Sequence, residues 1–167
     1  HLDQFQKIIT SDFKPYGLHR ARKQHFFENE KIVSLRKSGK RPCFSYSDFD
    51  CFVSQTFFVI QTSRWNMKFL TGILNSTLVA FWLKYKGKKS QSDIMQIDAP
   101  PLLSIPLPIF ADIAEDKVSS VIGLVDDIIN GKKNGIDTSS LETQIDELVY
   151  EIYGMSQDEI QVIESNL

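Results

Sequence analysis

Apolar positions along the chain change their spacing more than once, and each change predicts a change of element. Leu2, Phe5, Ile8 and Ile9 stand at helical spacing and predict a short amphipathic helix, after which Pro15 and Gly17 punctuate a loop. Residues 30–36 (EKIVSLR) and 43–47 (CFSYS) read as strands about a KSGKRP turn, and Asp48-Phe49-Asp50 makes a tight connection into residues 51–62. That run, CFVSQTFFVIQT, carries β-branched and aromatic residues on both faces, as a strand buried on both sides does. Asn66 can cap a following helix, in which Leu70, Leu74, Leu78, Phe81 and Tyr85 form one apolar face and which should end near Gly87. DIMQI and LLSIPLP (93–97 and 102–108) read as short strands, the second held to a sheet edge or rim by its prolines.

Beyond Phe110 the spacing becomes helical throughout. Ala114, Val118, Val121, Val125 and Ile128 follow steps of four and three, and Gly131 sits where a C-terminal cap belongs. Ser139 with Glu142 can form a capping box ahead of the stripe Leu141, Ile145, Leu148, Val149 and Ile152; Gly154 stops that helix, and Ser156 with Glu159 caps a last short one. The expected fold is α+β: a curved mixed β-sheet body with a packed central helix, followed by a C-terminal helical hairpin. Residues 1–110 form the body and 111–167 an acidic helical segment packed on it.

Composition narrows the class. Of 167 residues, 42% are apolar, enough for a real core. The longest apolar stretch, Phe69 to Leu83, is interrupted by Thr71, Asn75, Ser76 and Thr77, so it reads as a buried helix and not a membrane span. The chain opens on His1 rather than methionine and is expected to be a piece of a longer protein. Cys43 and Cys51 fit reduced, cytoplasmic thiols better than a disulfide, and with His19 and His25 they lack the short ligand spacing of structural zinc.

Charge adds the first functional signal. Residues 1–100 hold 16 Lys/Arg against 8 Asp/Glu, whereas residues 101–167 hold 3 against 13. Such a split separates a part suited to a polyanion from a part that would avoid one. The basic residues gather in Lys14, Arg20, Arg22, Lys23, Lys31, Arg36, Lys37, Lys40 and Arg41, in Arg64 beside Trp65, and in Lys84, Lys86, Lys88 and Lys89 ahead of Ser90, Gln91 and Ser92. Lys and Arg neutralise phosphates, and Arg and Gln can read base edges, so the candidate nucleic-acid contacts are Arg20, Arg22, Lys23, Arg36, Lys37, Arg41, Arg64, Lys86, Lys88, Lys89, Ser90 and Gln91. Each cluster alone is also what a solvated helix end or loop looks like.

Catalytic equipment does not emerge from the sequence: there is no glycine-rich phosphate loop, nucleophile elbow or His-Glu-x-x-His pattern. Asp48 and Asp50 read as turn residues, and Glu115-Asp116-Lys117 as surface charge on a helix. Asp98-Ala99-Pro100-Pro101-Leu102 departs from the Asn-Pro-Pro-aromatic loop of amino-methyltransferases, because an alanine intrudes and leucine replaces the aromatic ring.

A succession of motifs is nonetheless recognisable. Pro15-Tyr16-Gly17-Leu18-His19-Arg20-Ala21-Arg22, Phe27, Glu30-Lys31-Ile32-Val33, Phe44-Ser45-Tyr46, Val53-Ser54-Gln55-Thr56, Leu70-Thr71-Gly72-Ile73-Leu74-Asn75-Ser76 and Ile105-Pro106-Leu107-Pro108 follow in order. In order and spacing they resemble the TaqI-like C-terminal specificity domain of adenine-N6 DNA methyltransferases and type IIG restriction-modification enzymes, from about residue 12 to 110. The tail Leu148 to Met155 is similar as well.

The resemblance implies a target recognition domain that docks on the major groove of double-stranded DNA and selects the site for a separate catalytic methyltransferase domain of the same parent chain. That partner would bind S-adenosylmethionine; this chain lacks the family's cofactor loop and Asn-Pro-Pro-Tyr motif, so no cofactor and no catalytic residue are expected in it. Arg20 and Arg22 are expected to anchor the DNA backbone, and Lys88, Lys89 and Gln91 to approach base edges. Two other readings stand beside this one: a half-subunit of a type I specificity protein, and a protein-interaction module that docks through its acidic helical hairpin.

Overall fold

Lys31-Ile32-Val33-Ser34-Leu35 alternates about Ile32 and Ser34, and this short run becomes the centre of the main sheet. The computed structural model describes residues 23–39, 41–89 and 95–167, with residues 88, 89 and 95 described by backbone alone. The elements are β1 (Lys31–Leu35), β2 (Lys37–Ser38), β3 (Phe44–Ser47), β4 (Phe57–Ile60), α1 (Met67–Asn75), α2 (Thr77–Lys86), β5 (Lys88–Lys89), β6 (Met95–Gln96), α3 (Ala99–Leu103), α4 (Glu115–Lys133), α5 (Ser139–Tyr153) and α6 (Gln157–Ser165). The first amphipathic helix, the Pro15–Gly17 loop, and Arg20, Arg22, Ser90 and Gln91 lie outside the described residues. The α+β class is as expected. Among the described residues no helix is long and apolar enough to cross a membrane.

The main sheet is antiparallel in the order β3-β1-β4. Ile32 stands opposite Tyr46 and Ile60, and Ser34 opposite Phe44 and Phe58, so one face presents these side chains together to the core. The central strand is therefore β1, not the 51–62 run; Ile32 and Ser34 are buried on its core face, while Val33 is half-buried and Leu35 exposed on the other. In that run only residues 57–60 form a strand, all half-buried and at a sheet edge. A hydroxyl turn breaks it: the Ser54 Oγ accepts from Thr56 N at 3.3 Å, and Ser54 O accepts from Phe57 N at 3.2 Å. Lys31, 0% exposed, donates from Nζ to the carbonyls of Asn29 at 2.5 Å and Phe49 at 2.6 Å. A buried ammonium is tolerated only with such acceptors, and this one ties the start of β1 to the 48–50 turn.

The predicted central helix is two helices. Asn66 caps α1 as expected, its Oδ1 accepting from Lys68 N and Phe69 N at 3.0 and 3.1 Å. The helix stops at Asn75, whose side chain turns away to pair with a strand end. Its Oδ1 accepts from Phe44 N at 3.0 Å, and its Nδ2 donates to Phe44 O at 2.7 Å. Ser76 adopts extended backbone and caps α2, accepting from Val79 N at 3.3 Å. Asp146 on α5 then takes Thr77 N at 2.6 Å and Thr77 Oγ1 at 2.5 Å.

Against α1 lies α4, and Gly72 sets how closely. A Cβ built on Gly72 would fall 2.6 Å from Val121 Cγ1 and 3.3 Å from Val125 Cγ2. Lys68 and Asp126 bridge the same two helices at 2.7 Å. Val121, Val125, Ile145 and Val149 join Ile32, Phe44 and Ile73 in one hydrophobic core, so the helical tail and the sheet share an interior.

Three local expectations change. The α4 helix runs through Gly131 and ends at Asn134, where Gly135 at φ 69 allows Ile136 N to bond Gly131 O at 2.9 Å. Ser139 and Glu142 form no capping box: Asp137 takes both Ser139 N and Ser139 Oγ, at 3.1 and 2.9 Å, while Glu142 accepts from Thr138 Oγ1 at 2.8 Å. The Ser156–Glu159 box does form. LLSIPLP is not a strand: its first two residues end the short helix α3, whose first turn holds Pro100 and Pro101 and needs no N–H from them. The prolines after it cannot donate to a ladder, and Pro106 O instead accepts from the Tyr153 hydroxyl at 2.9 Å. Burial pushes that hydroxyl's pKa up to about 12.

Two substitutions test these contacts. Gly72→Ala should destabilise the chain despite a gain of about 1 kcal/mol in helix propensity, because overpacking against Val121 costs about 1–3 kcal/mol. Adding Val121→Ala should recover part of the loss in a urea titration. Asp146→Ala should cost about 1–3 kcal/mol by leaving the Thr77 donors unpaired, read as a lower thermal midpoint.

Candidate nucleic-acid interface

The chain crosses from β1 to a second small sheet through a single residue, Arg36. Its N–H donates to Thr56 O at 2.9 Å, and its carbonyl accepts from Ile97 N at 2.9 Å. Ile97 is fully buried, so the joint is anchored in the core. The second sheet is an antiparallel ribbon in the order β2-β6-β5. Its register sets Lys37, Gln96 and Lys88 in one cross-strand row and Ser38, Met95 and Lys89 in the next.

Basic residues about fifty positions apart in sequence thus flank the same middle strand from its two sides. The Arg36 guanidinium lies over the Phe58 ring, 5.1 Å from its centroid, and 4.0 Å from Asp98 Oδ1, with 47% of the side chain exposed. Asp98 Oδ1 also accepts from Gln96 Nε2 at 3.1 Å. Lys86, exposed at the end of α2, holds its ammonium over Trp82 at 5.3 Å. Gly87 ends α2 as expected, but without a left-handed turn: at φ −73 it continues extended into β5. Glycine is needed there because a Cβ would fall 2.6 Å from the Leu83 carbonyl.

The remaining candidates are placed differently. Lys23 and Arg64 are exposed near the other end of β1, where Gln61 donates to His25 O and Glu28 O at 3.2 and 2.9 Å. Arg41 belongs to the helix junction, donating to Asn75 O at 2.7 Å and Thr77 Oγ1 at 3.2 Å and standing 4.0 Å from Asp146. The structure therefore groups Arg36, Lys37, Lys86, Lys88 and Lys89 about one ribbon and sets Lys23, Arg41 and Arg64 apart from it.

Two polar residues of the group, Gln96 and Asp98, escaped the sequence reading. A glutamine in the first of two short runs was a weak signal, and Asp98 stood out only as part of a motif belonging to another chemistry. Among the described residues no group of His, Cys, Asp or Glu is arranged to hold a metal, and Cys43 and Cys51 are free thiols.

Comparison with known proteins bears on this arrangement. No curated protein matches the chain. The family model of the TaqI-like C-terminal specificity domain matches residues 4–107, a span that takes in both sheets, α1, α2 and α3. With well over half of its length matched, the chain belongs to the family of TaqI-like C-terminal specificity domains, DNA-recognition domains of restriction-modification enzymes.

Proposed function

We propose that this domain selects the target site for an adenine-N6 DNA methyltransferase and holds a separate catalytic domain of the same parent chain on that site. The ribbon face meets double-stranded DNA. The observation that carries this reading is the ribbon itself, which pairs Lys37 with Gln96 and Gln96 with Lys88, beside Arg36 and Lys86. Phosphates along the groove would be met by the lysines, and base edges by groups near the ribbon's middle strand. S-adenosylmethionine and the methyl-transfer chemistry belong to the catalytic domain. Acidic residues after position 100 are partly committed elsewhere, Asp126 to Lys68, Glu142 to Lys132 and Glu151 to Lys117.

Arg20 and Arg22 are assigned to the DNA backbone, and Ser90 and Gln91, which follow Lys89 in sequence, are assigned to the DNA contacts as well. Arg41 serves the fold, since its guanidinium already bridges the end of α1, the start of α2 and α5.

Binding of a labelled duplex by the chain should weaken linearly in log–log terms as salt rises, with a slope of about −0.9 per phosphate neutralised. Lys37→Ala should shallow that slope by roughly one unit and weaken all sequences alike. Arg41→Ala should lower thermal stability and leave the slope in place. Absence of binding at low salt would overturn the proposal. In calorimetry the chain should take up no S-adenosylmethionine, and measurable uptake would move the cofactor site into this domain.

A further inference from the structure

Asp98 occupies the N-cap position of α3, yet its carboxylate makes no cap bond. The reason lies in the next three residues. A capping carboxylate accepts from the N–H groups of the second and third helical residues, and here those are Pro100 and Pro101, which have none. The Asp-Ala-Pro-Pro sequence therefore builds a helix start whose acid is turned to other use. Its Oδ1 accepts from Gln96 Nε2 at 3.1 Å and stands 4.0 Å from Arg36 Nη2.

A carboxylate only accepts hydrogen bonds, so its contact decides which end of the Gln96 carboxamide faces it. The Nε2 end is taken, leaving Oε1 with the second N–H as a donor–acceptor pair. Gln96 lies on the middle strand of the ribbon, between Lys37 and Lys88 in register. Arg36 is fixed from four directions: through its N–H, its carbonyl, the Phe58 ring and the same Asp98 oxygen. Half of its side chain remains exposed.

On the DNA-recognition reading given above, we infer that Arg36 and Gln96 are base-reading residues of this domain and that Asp98 is the positioning residue that orients both. A planar donor fork matches the O6 and N7 acceptors of guanine, and a carboxamide's donor–acceptor pair matches the N7 and N6 of adenine. Two such groups beside one carboxylate oxygen would read bases close together in the site. The flanking lysines supply affinity without preference.

The test uses the full 167-residue chain and a pool of duplexes with a randomised central stretch, with the bound fraction sequenced. The unchanged chain should enrich one motif. Gln96→Ala should lose the preference at one base pair by about tenfold or more, and Arg36→Lys, which keeps charge but not the fork, should do so at a guanine. Asp98→Asn should flatten both positions together while leaving binding to non-specific duplex equal or tighter, because a negative charge has gone. Should Asp98→Asn unfold the chain, Gln96→Ala and Arg36→Lys carry the test alone.

Retention of the motif by Gln96→Ala and Arg36→Lys, or a uniform loss of binding with the motif intact, would overturn the inference and leave Asp98 as a ribbon strut. Binding by the unchanged chain without any enriched motif would overturn it as well. Failure of the unchanged chain to retain any duplex at low salt would instead remove the DNA-recognition reading on which the inference rests.

Discussion

One carboxamide organises this domain. Asn75 bonds both the N–H and the carbonyl of Phe44, so the end of a helix completes the ladder of an edge strand. The same side chain donates to Thr71 O at 2.9 Å, which closes α1 on itself. With the helix stopped there, Ser76 can start α2 in a new direction, and Arg41 and Asp146 hold the bend from the sheet side and the tail side. The position of α2 then decides where Lys86, Gly87 and β5 arrive, and so where the third strand of the ribbon is laid down. A residue buried in the fold's mechanics thereby sets the geometry of the basic face.

Arg36 has the matching role at the other boundary. It belongs to neither sheet, yet its main chain bonds to the segment before β4 and to the residue after β6. The ribbon is hung from the core at this point and at Ile97, and the body below is held by apolar packing that runs continuously from Ile32 through α1 to Val121 and Val149. Some basic residues are committed to the fold itself: Lys31 to the carbonyls of Asn29 and Phe49, Lys68 to Asp126, and Arg41 to the junction of α1 and α2.

Much of this was legible in the sequence where structure is local. Asn66 and Ser156 act as caps because a cap depends on three or four neighbouring residues, and β1 and β3 emerge because their alternation meets a core. The continuous stripe Leu70 to Tyr85 concealed a break, since the evidence for it, a strand end 31 residues away, is invisible to periodicity. The apolar run 51–62 misled because composition cannot reveal that Ser54 takes a turn bond. Gly131 looked like a cap but is needed for the close passage of Thr138, whose Cγ2 a Cβ would meet at 2.7 Å. The ribbon was least legible, because Lys37 and Lys88 are related only through Gln96. The motif order still identified the family, since order and spacing survive where single contacts cannot be read.

The ribbon's strands are two residues long, and Ile97, which follows β6, is fully buried in the core. Lys37 is exposed and Ser38 and Gln96 are half-buried, so an exchange of these side chains disturbs less packing than one in the core. Such positions can change by single steps while the core contacts beneath them are kept. The body beneath is held to a narrow repertoire by contacts such as Gly72 against Val121, where one added methyl group is felt. Rapid divergence and strict retention can therefore coexist within one small domain, separated by a single arginine.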